Sequence, residues 1–227
     1  RSRSGTTRST PTSRPRGTEG VTLPAAAWRE RVEFERRLVH ASGTLYPVPY
    51  LLGWISWRTT GRLLLVSVAV AAALEALRLS GSVGPLDPLY DALVREYESD
   101  SVAGYALYQV SMAGTALCFA PVFAVPAMWM LSIGDPISGG LGENAATEPK
   151  RLSVVAAMVF VCFGIAVPYA IPEFGPDPGV IVALAGAIPA AVADGLPPLI
   201  RGVAVDDNLT IPPAAAGGMF LAAALIA

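Results

Sequence analysis

Charge is what this sequence has least of. Only 15% of its 227 residues are charged, where a soluble domain usually carries roughly a quarter. The formal net charge of -2 is too small to suggest nucleic-acid binding, so no nucleic-acid partner is expected. Histidine is nearly absent: His40 stands alone, which rules out a multi-histidine metal site. The two cysteines, Cys118 and Cys162, each sit inside an apolar run. They read as small hydrophobes rather than as a disulfide or a metal site. Lysine is limited to Lys150; the other basic residues are arginines. What the chain has in excess is apolar length: 53% of residues are hydrophobic, and the mean hydropathy is +0.51. Those residues arrive in long blocks, the pattern of a chain that uses lipid as its solvent.

The first stretch is a different material. Residues 1–27 open with arginines, serines, threonines and prolines and almost no apolar side chains. Such a segment cannot bury enough surface to offset its ordering entropy, so it is expected to be a disordered basic tail. Residues 28–227 form the expected membrane-embedded domain. Trp28 to His40 reads as a short charged amphipathic helix at the membrane surface. Apolar blocks follow at Gly43–Trp57, Arg62–Leu79, Val102–Gly142, Leu152–Ile171, Gly179–Ile200 and Thr210–Ala227. The Val102–Gly142 block is long enough for two crossings, with Pro121 and Pro126 suggesting a break. At roughly 20 apolar residues per crossing, the expected fold is an all-α polytopic membrane protein with about seven transmembrane helices. The basic tail and the loops carrying Arg95, Lys150, Arg151 and Arg201 are expected on the cytoplasmic side, which makes the N-terminus cytoplasmic. Arg58 and Arg62 run against that pattern.

Ionisable residues within or beside membrane spans are expensive and tend to be functional. Here they are Arg37, His40, Glu75, Arg78, Arg95, Glu98, Asp135, Lys150, Asp194 and the run Asp206-Asp207-Asn208. Singly, each has a plain structural role: Glu75 and Arg78 as an i,i+3 pair, or Asp206 and Asp207 as a helix cap. Together they are harder to dismiss, because alternating topology brings their loops to one membrane face. Asp135, in a run with Gly139, Gly140 and Gly142, ends a span, and Lys150 and Ser153 follow it. Carboxylates beside an amide suit a hard cation such as Mg²⁺. A lysine, helix N-termini and glycines suit phosphates. A nucleotide-dependent enzyme acting on a membrane lipid would need this set. Neither a P-loop nor a Gly-x-Gly-x-x-Gly unit is present.

Five elements, in order, resemble the CTP-dependent lipid kinases related to dolichol kinase, a family that includes diacylglycerol and phytol kinases. They are Arg36-Arg37-Leu-Val-His40 with Gly43; Glu75-x-x-Arg78; Arg95-x-x-Glu98; Gly134-Asp135-Pro-Ile-Ser-Gly-Gly-Leu-Gly142 followed by Lys150 and Ser153; and Asp207-Asn208-Leu-Thr-Ile-Pro212. The run Lys150-Arg-Leu-Ser153 departs from the family's Lys-Ser-x-x-Gly, and Asp194 stands where the family has a glutamate. The resemblance implies CTP as phosphoryl donor, a polyprenol- or dolichol-like alcohol as acceptor and Mg²⁺ as cofactor, with the bilayer as the setting. It implies Asp135, Asp207 and Lys150 as catalytic residues, the two aspartates holding the metal. Lys150, Ser153, Gly139, Gly142, Asn208, Arg95 and Glu98 are then expected at the nucleotide. Arg37, His40, Glu75, Arg78 and Asp194 are expected to orient the lipid or the nucleotide. Asp135 as base and Asp135 as metal ligand remain open alternatives. So does a plain interfacial role for Arg37 and His40. A CDP-lipid-forming cytidylyltransferase is the competing enzyme, and a non-catalytic transporter the competing class. Homo-oligomerisation is left open.

Overall fold

The apolar blocks fold into helices. The computed structural model describes residues 34–81, 84–94, 98–99, 101–142, 149–196, 199–200 and 203–226; the expected disordered tail, 1–27, lies outside these. The helices are α1 (Phe34–Ser42), α2 (Val48–Leu51), α3 (Trp57–Leu79), α4 (Asp87–Leu93), α5 (Gly104–Cys118), α6 (Pro121–Trp129), α7 (Asp135–Leu141), α8 (Leu152–Phe174), α9 (Pro176–Gly195) and α10 (Asp207–Ile226). The strand pairing among the described residues is a two-residue antiparallel ladder, Leu199–Ile200 with Val203–Ala204. The all-helical expectation therefore holds.

Three helices, α8, α9 and α10, are long and apolar enough to cross a membrane. Helix α3 has the length, at 23 residues, but carries Arg58, Arg62, Glu75 and Arg78. The expected first span, Gly43–Trp57, is not one helix. It is a 3₁₀ turn, the four-residue α2 and a bend ahead of α3. Pro47 and Pro49 lack the N–H groups that a continuous helix would need. In the Val102–Gly142 block the break comes at Phe119–Ala120, just before Pro121. Pro126 lies inside α6 without ending it. Helical backbone then runs on through a π-turn, Met130–Gly134, into α7.

Small residues set how closely the apolar helices approach. Ala183, Ala187, Ala190 and Ala191 of α9 are fully buried, as are Ala166 of α8 and Ala215 and Ala216 of α10. A Cβ on Gly179 would lie 2.6 Å from Ile171 Cα, and one on Gly186 would lie 2.5 Å from Met219 Cγ. These glycines let α9 pack backbone-close against both neighbours, the usual device where lipid removes the hydrophobic drive between helices. The bundle thus has two distinct ends. Glu75 and Arg78, at the end of α3, meet the start of α5: Ala103 N–H donates to Glu75 Oε1 at 2.8 Å. The start of α5 in turn meets the start of α10, where a Cβ on Gly104 would lie 2.9 Å from Asn208 Nδ2.

Candidate functional site

Three aspartates from three helices meet at that end. Asp135 opens α7, Asp194 is the penultimate residue of α9, and Asp207 opens α10. One carboxylate oxygen from each lies within 4.8 Å of the others. Asp194 is buried, while Asp135 and Asp207 are partly exposed. Oxygen donors this close repel one another when ionised, so the cluster calls for positive charge. It is a donor set suited to a hard divalent cation that keeps water or phosphate in its remaining positions.

The local backbone explains how Asp135 comes to stand there. The π-turn directly before it adds a residue to the helical ladder and changes the direction in which α7 leaves; π-turns often occur at functional sites. Pro136, in the first turn of α7, has no N–H to return to the carbonyl of Ser132, so the ladder is already interrupted there. At Asp207 the capping role falls on two residues. Asn208 N–H is 2.9 Å from both Asp206 Oδ1 and Asp207 Oδ1.

Two basic side chains reach the cluster. Lys150 Nζ donates to Asp194 Oδ1 at 2.6 Å and to Ser138 Oγ at 3.1 Å. Ser138 Oγ donates to Asp194 Oδ2 at 2.6 Å, closing a three-membered network. Backbone geometry supports it: Lys150 N–H donates to Gly195 O at 3.0 Å, which ties the lysine to the end of α9 beside Asp194. From α1, His40 Nε2 lies 3.5 Å from Asp135 Oδ2. Its ring meets Tyr108 edge-on at 4.3 Å between centroids. Tyr108 hydroxyl donates to His40 O at 3.0 Å. Gly43 is required here, since a Cβ on it would fall on the Tyr108 hydroxyl.

A cavity of about 80 Å³ adjoins His40. His40, Tyr46, Glu98, Tyr105, Gln109 and Asn208 are on its wall. Asn208 is 2% exposed, and its Oδ1 has no hydrogen-bond partner among the described residues. A buried acceptor left unmade costs about 1–3 kcal/mol, so the cavity is suited to a ligand that brings a donor.

The other expected residues divide. Glu75 and Arg78 form a salt bridge, and Arg78 also holds the backbone: Nη1 donates to Ser99 O at 2.9 Å and to Glu98 O at 3.3 Å. Tyr105 hydroxyl donates to Glu75 Oε2 at 2.7 Å. This is a clasp fixing Glu98, Ser99 and Ala103 on α3, the plain role open to an i,i+3 pair. Glu98 is buried and accepts from Gly104 N–H at 3.2 Å, next to Asn208. Ser153 is exposed in the first turn of α8; the hydroxyl that Lys150 meets belongs to Ser138 instead. Gly139 lies within α7 and Gly142 caps it. Arg37 lies on α1, and Arg95 falls outside the described residues. Asp194, expected to orient a ligand, instead joins the carboxylate cluster. Ser138 had a signal in the sequence: it stands three residues after Asp135 and so on the same side of a helix. Comparison with protein-family models, with curated proteins and with solved structures finds no match.

Proposed function

We propose that the chain is a membrane-embedded, CTP-dependent kinase of a long-chain lipid alcohol. The observation that carries this reading is the convergence of Asp135, Asp194 and Asp207 within 4.8 Å, from three helices, with the only lysine of the chain docked on one of them. Phosphoryl transfer needs little covalent chemistry from a protein; it needs positioning and charge. The three carboxylates would hold Mg²⁺, which supplies charge neutralisation at phosphate oxygens. Lys150, between Ser138 and Asp194, is at hand to steady a phosphate. His40, placed by Tyr108 beside Asp135, bounds the cavity that would receive the acceptor end. CTP as donor and a polyprenol-like acceptor rest on the motif resemblance alone.

The test is a γ-labelled CTP assay with a panel of lipid alcohols. Label is expected in a lipid phosphate, with CDP as co-product, in the presence of Mg²⁺. ATP is expected to serve poorly; equal turnover with ATP would remove the basis for a CTP enzyme. Release of pyrophosphate with formation of a CDP-lipid would replace the kinase by a cytidylyltransferase.

The same reading carries a topology of seven crossings with the N-terminus and the carboxylate cluster in the cytoplasm. The first crossing is the interrupted segment from Gly43 to Trp57; the others are α3, α5, α6 with α7, α8, α9 and α10. Cys118, exposed at the far end of α5, is expected to react with a membrane-impermeant maleimide added outside intact cells. Ser153→Cys, exposed beside the cluster, is expected to be protected. Efficient outside labelling of the variant residue would invert the topology.

A further inference from the structure

Arg58 and Arg62 stand apart from everything above. They lie one turn apart on α3, at i and i+4, and so share a helix face. Both are exposed. Neither has an ion pair or hydrogen bond through its side chain among the described residues. With Trp57, Gly61, Ala116 and Leu117 they line a groove of about 400 Å³ between the start of α3 and the end of α5. The groove is built by close helix approach: Gly61 is buried, and a Cβ on it would lie 3.0 Å from Leu117 Cδ2.

The position of the groove along the bundle is informative. Arg78, at the other end of α3, is bound into the clasp beside Glu98. Twenty residues of α-helix separate Arg58 from Arg78, about 30 Å at 1.5 Å per residue. That matches the hydrocarbon thickness of a bilayer. Between the two charged ends, Leu63, Leu65, Val66 and Val70 are exposed apolar side chains. The two arginines therefore belong at the head-group layer opposite the carboxylate cluster. There, unpaired guanidinium groups beside a tryptophan meet phosphate rather than protein carboxylates. Glu173 and Asp177 share this end but sit on α8 and α9, and no ion pair joins them to α3 among the described residues. The placement also accounts for arginines that run against the positive-inside pattern: they answer a lipid phosphate rather than set orientation.

We infer that this groove binds the phosphate-bearing head group of an anionic phospholipid in the leaflet opposite the carboxylate cluster. Guanidinium groups on one helix face present forked donors to a phosphodiester, while the apolar walls below accept the acyl chains. The inference rests on α3 crossing the bilayer, part of the proposed topology, and not on the kinase reading.

The test uses the purified full chain in nanodiscs of phosphatidylcholine, with or without phosphatidylglycerol. Phosphatidylglycerol is expected to raise the unfolding midpoint and to stay bound in native mass spectra. Each arginine near a charged surface contributes roughly a fivefold factor. The double variant Arg58→Gln/Arg62→Gln is therefore expected to lose roughly 25-fold in phosphatidylglycerol affinity, compounding both factors. Arg58→Lys/Arg62→Lys keeps the charge and guards against a folding defect; it is expected to retain most of the binding. Arg151→Gln, at the cluster end, is expected to leave retention unchanged. Equal retention in the double glutamine variant would overturn the inference. So would displacement by inorganic phosphate, which would make the groove a free-anion site. If the chain did not enter nanodiscs at all, the membrane topology itself would fall, a result distinct from loss of lipid selectivity.

Discussion

Asp135→Asn and Asp207→Asn are each expected to cut turnover about a hundredfold or more while the protein remains folded. Each substitution keeps side-chain shape and removes one charge from a cluster that spans 4.8 Å. Charge stabilisation lost in a water-poor phosphoryl-transfer site typically costs about 3 kcal/mol or more in the barrier. The competing account is structural: Asp135 opens α7, and Asp207 caps α10. A lost cap costs about 1 kcal/mol of stability and leaves chemistry nearly intact. The structure weakens that account at Asp207, because Asp206 Oδ1 also accepts from Asn208 N–H at 2.9 Å. Asp206 would keep the cap when Asp207 is changed. Two measurements separate the accounts. Unfolding midpoints in detergent are expected to move little. Mn²⁺ binding, followed by electron paramagnetic resonance in the purified protein without nucleotide, is expected to fall with turnover. Near-normal activity in either variant would remove that carboxylate from the metal set.

Much of this arrangement is legible in the sequence because hydropathy and loop position depend on local runs of residues. The blocks at Leu152–Ile171, Gly179–Ile200 and Thr210–Ala227 become α8, α9 and α10, the three helices able to cross a membrane. Their ends are displaced for a physical reason. Helix α10 begins at Asp207 because its first turn exposes N–H groups, of which Asn208 N–H is met by the carboxylates of Asp206 and Asp207, and hydropathy scores such polar residues as loop. Helix α9 stops at Gly195, before the apolar residues at 199–200 pair with 203–204. Prolines 47 and 49 were visible inside the first block, yet its apolar length alone argues for a span. At the site, the gathering of Asp135, Lys150 and Asp207 at one end follows from alternating topology. The direct contacts of Asp194 and Ser138 with Lys150 do not. Asp194 is the one acid near the end of an alanine-rich helix, and its partners lie 44 and 56 residues away. The hydrogen bonds of Asp194 to Ser138 and to Lys150 bring those three together.

That arrangement makes the Lys150–Asp194 pair a contact on which stability depends. Asp194's side chain is fully buried, and Lys150's is 16% exposed. Removing one partner leaves the other charge buried with Ser138 as its remaining neighbour in the network. Breaking a buried pair in this way costs about 3–5 kcal/mol. Asp194→Leu and Lys150→Met are therefore each expected to lower stability by about that much. Replacing both together is different in kind, because neither member of the pair is left charged without the other. A buried ion pair exchanged for apolar side chains of similar volume is often neutral in stability or gains 1–4 kcal/mol. Lys150→Met/Asp194→Leu is thus expected to be far more stable than the sum of the single changes. The double-mutant cycle in denaturant or heat measures the coupling directly, with an expected value well above the ~0.5 kcal/mol scatter of independent sites. Activity is expected to follow a different order: all three variants are inactive, since the double variant restores packing without restoring a cation or a carboxylate. Additive single effects, with no recovery in the double variant, would mean that the two side chains do not share a buried contact. Recovery of activity along with stability would mean that the pair only holds helices together, and the phosphate-steadying role of Lys150 would fall with it.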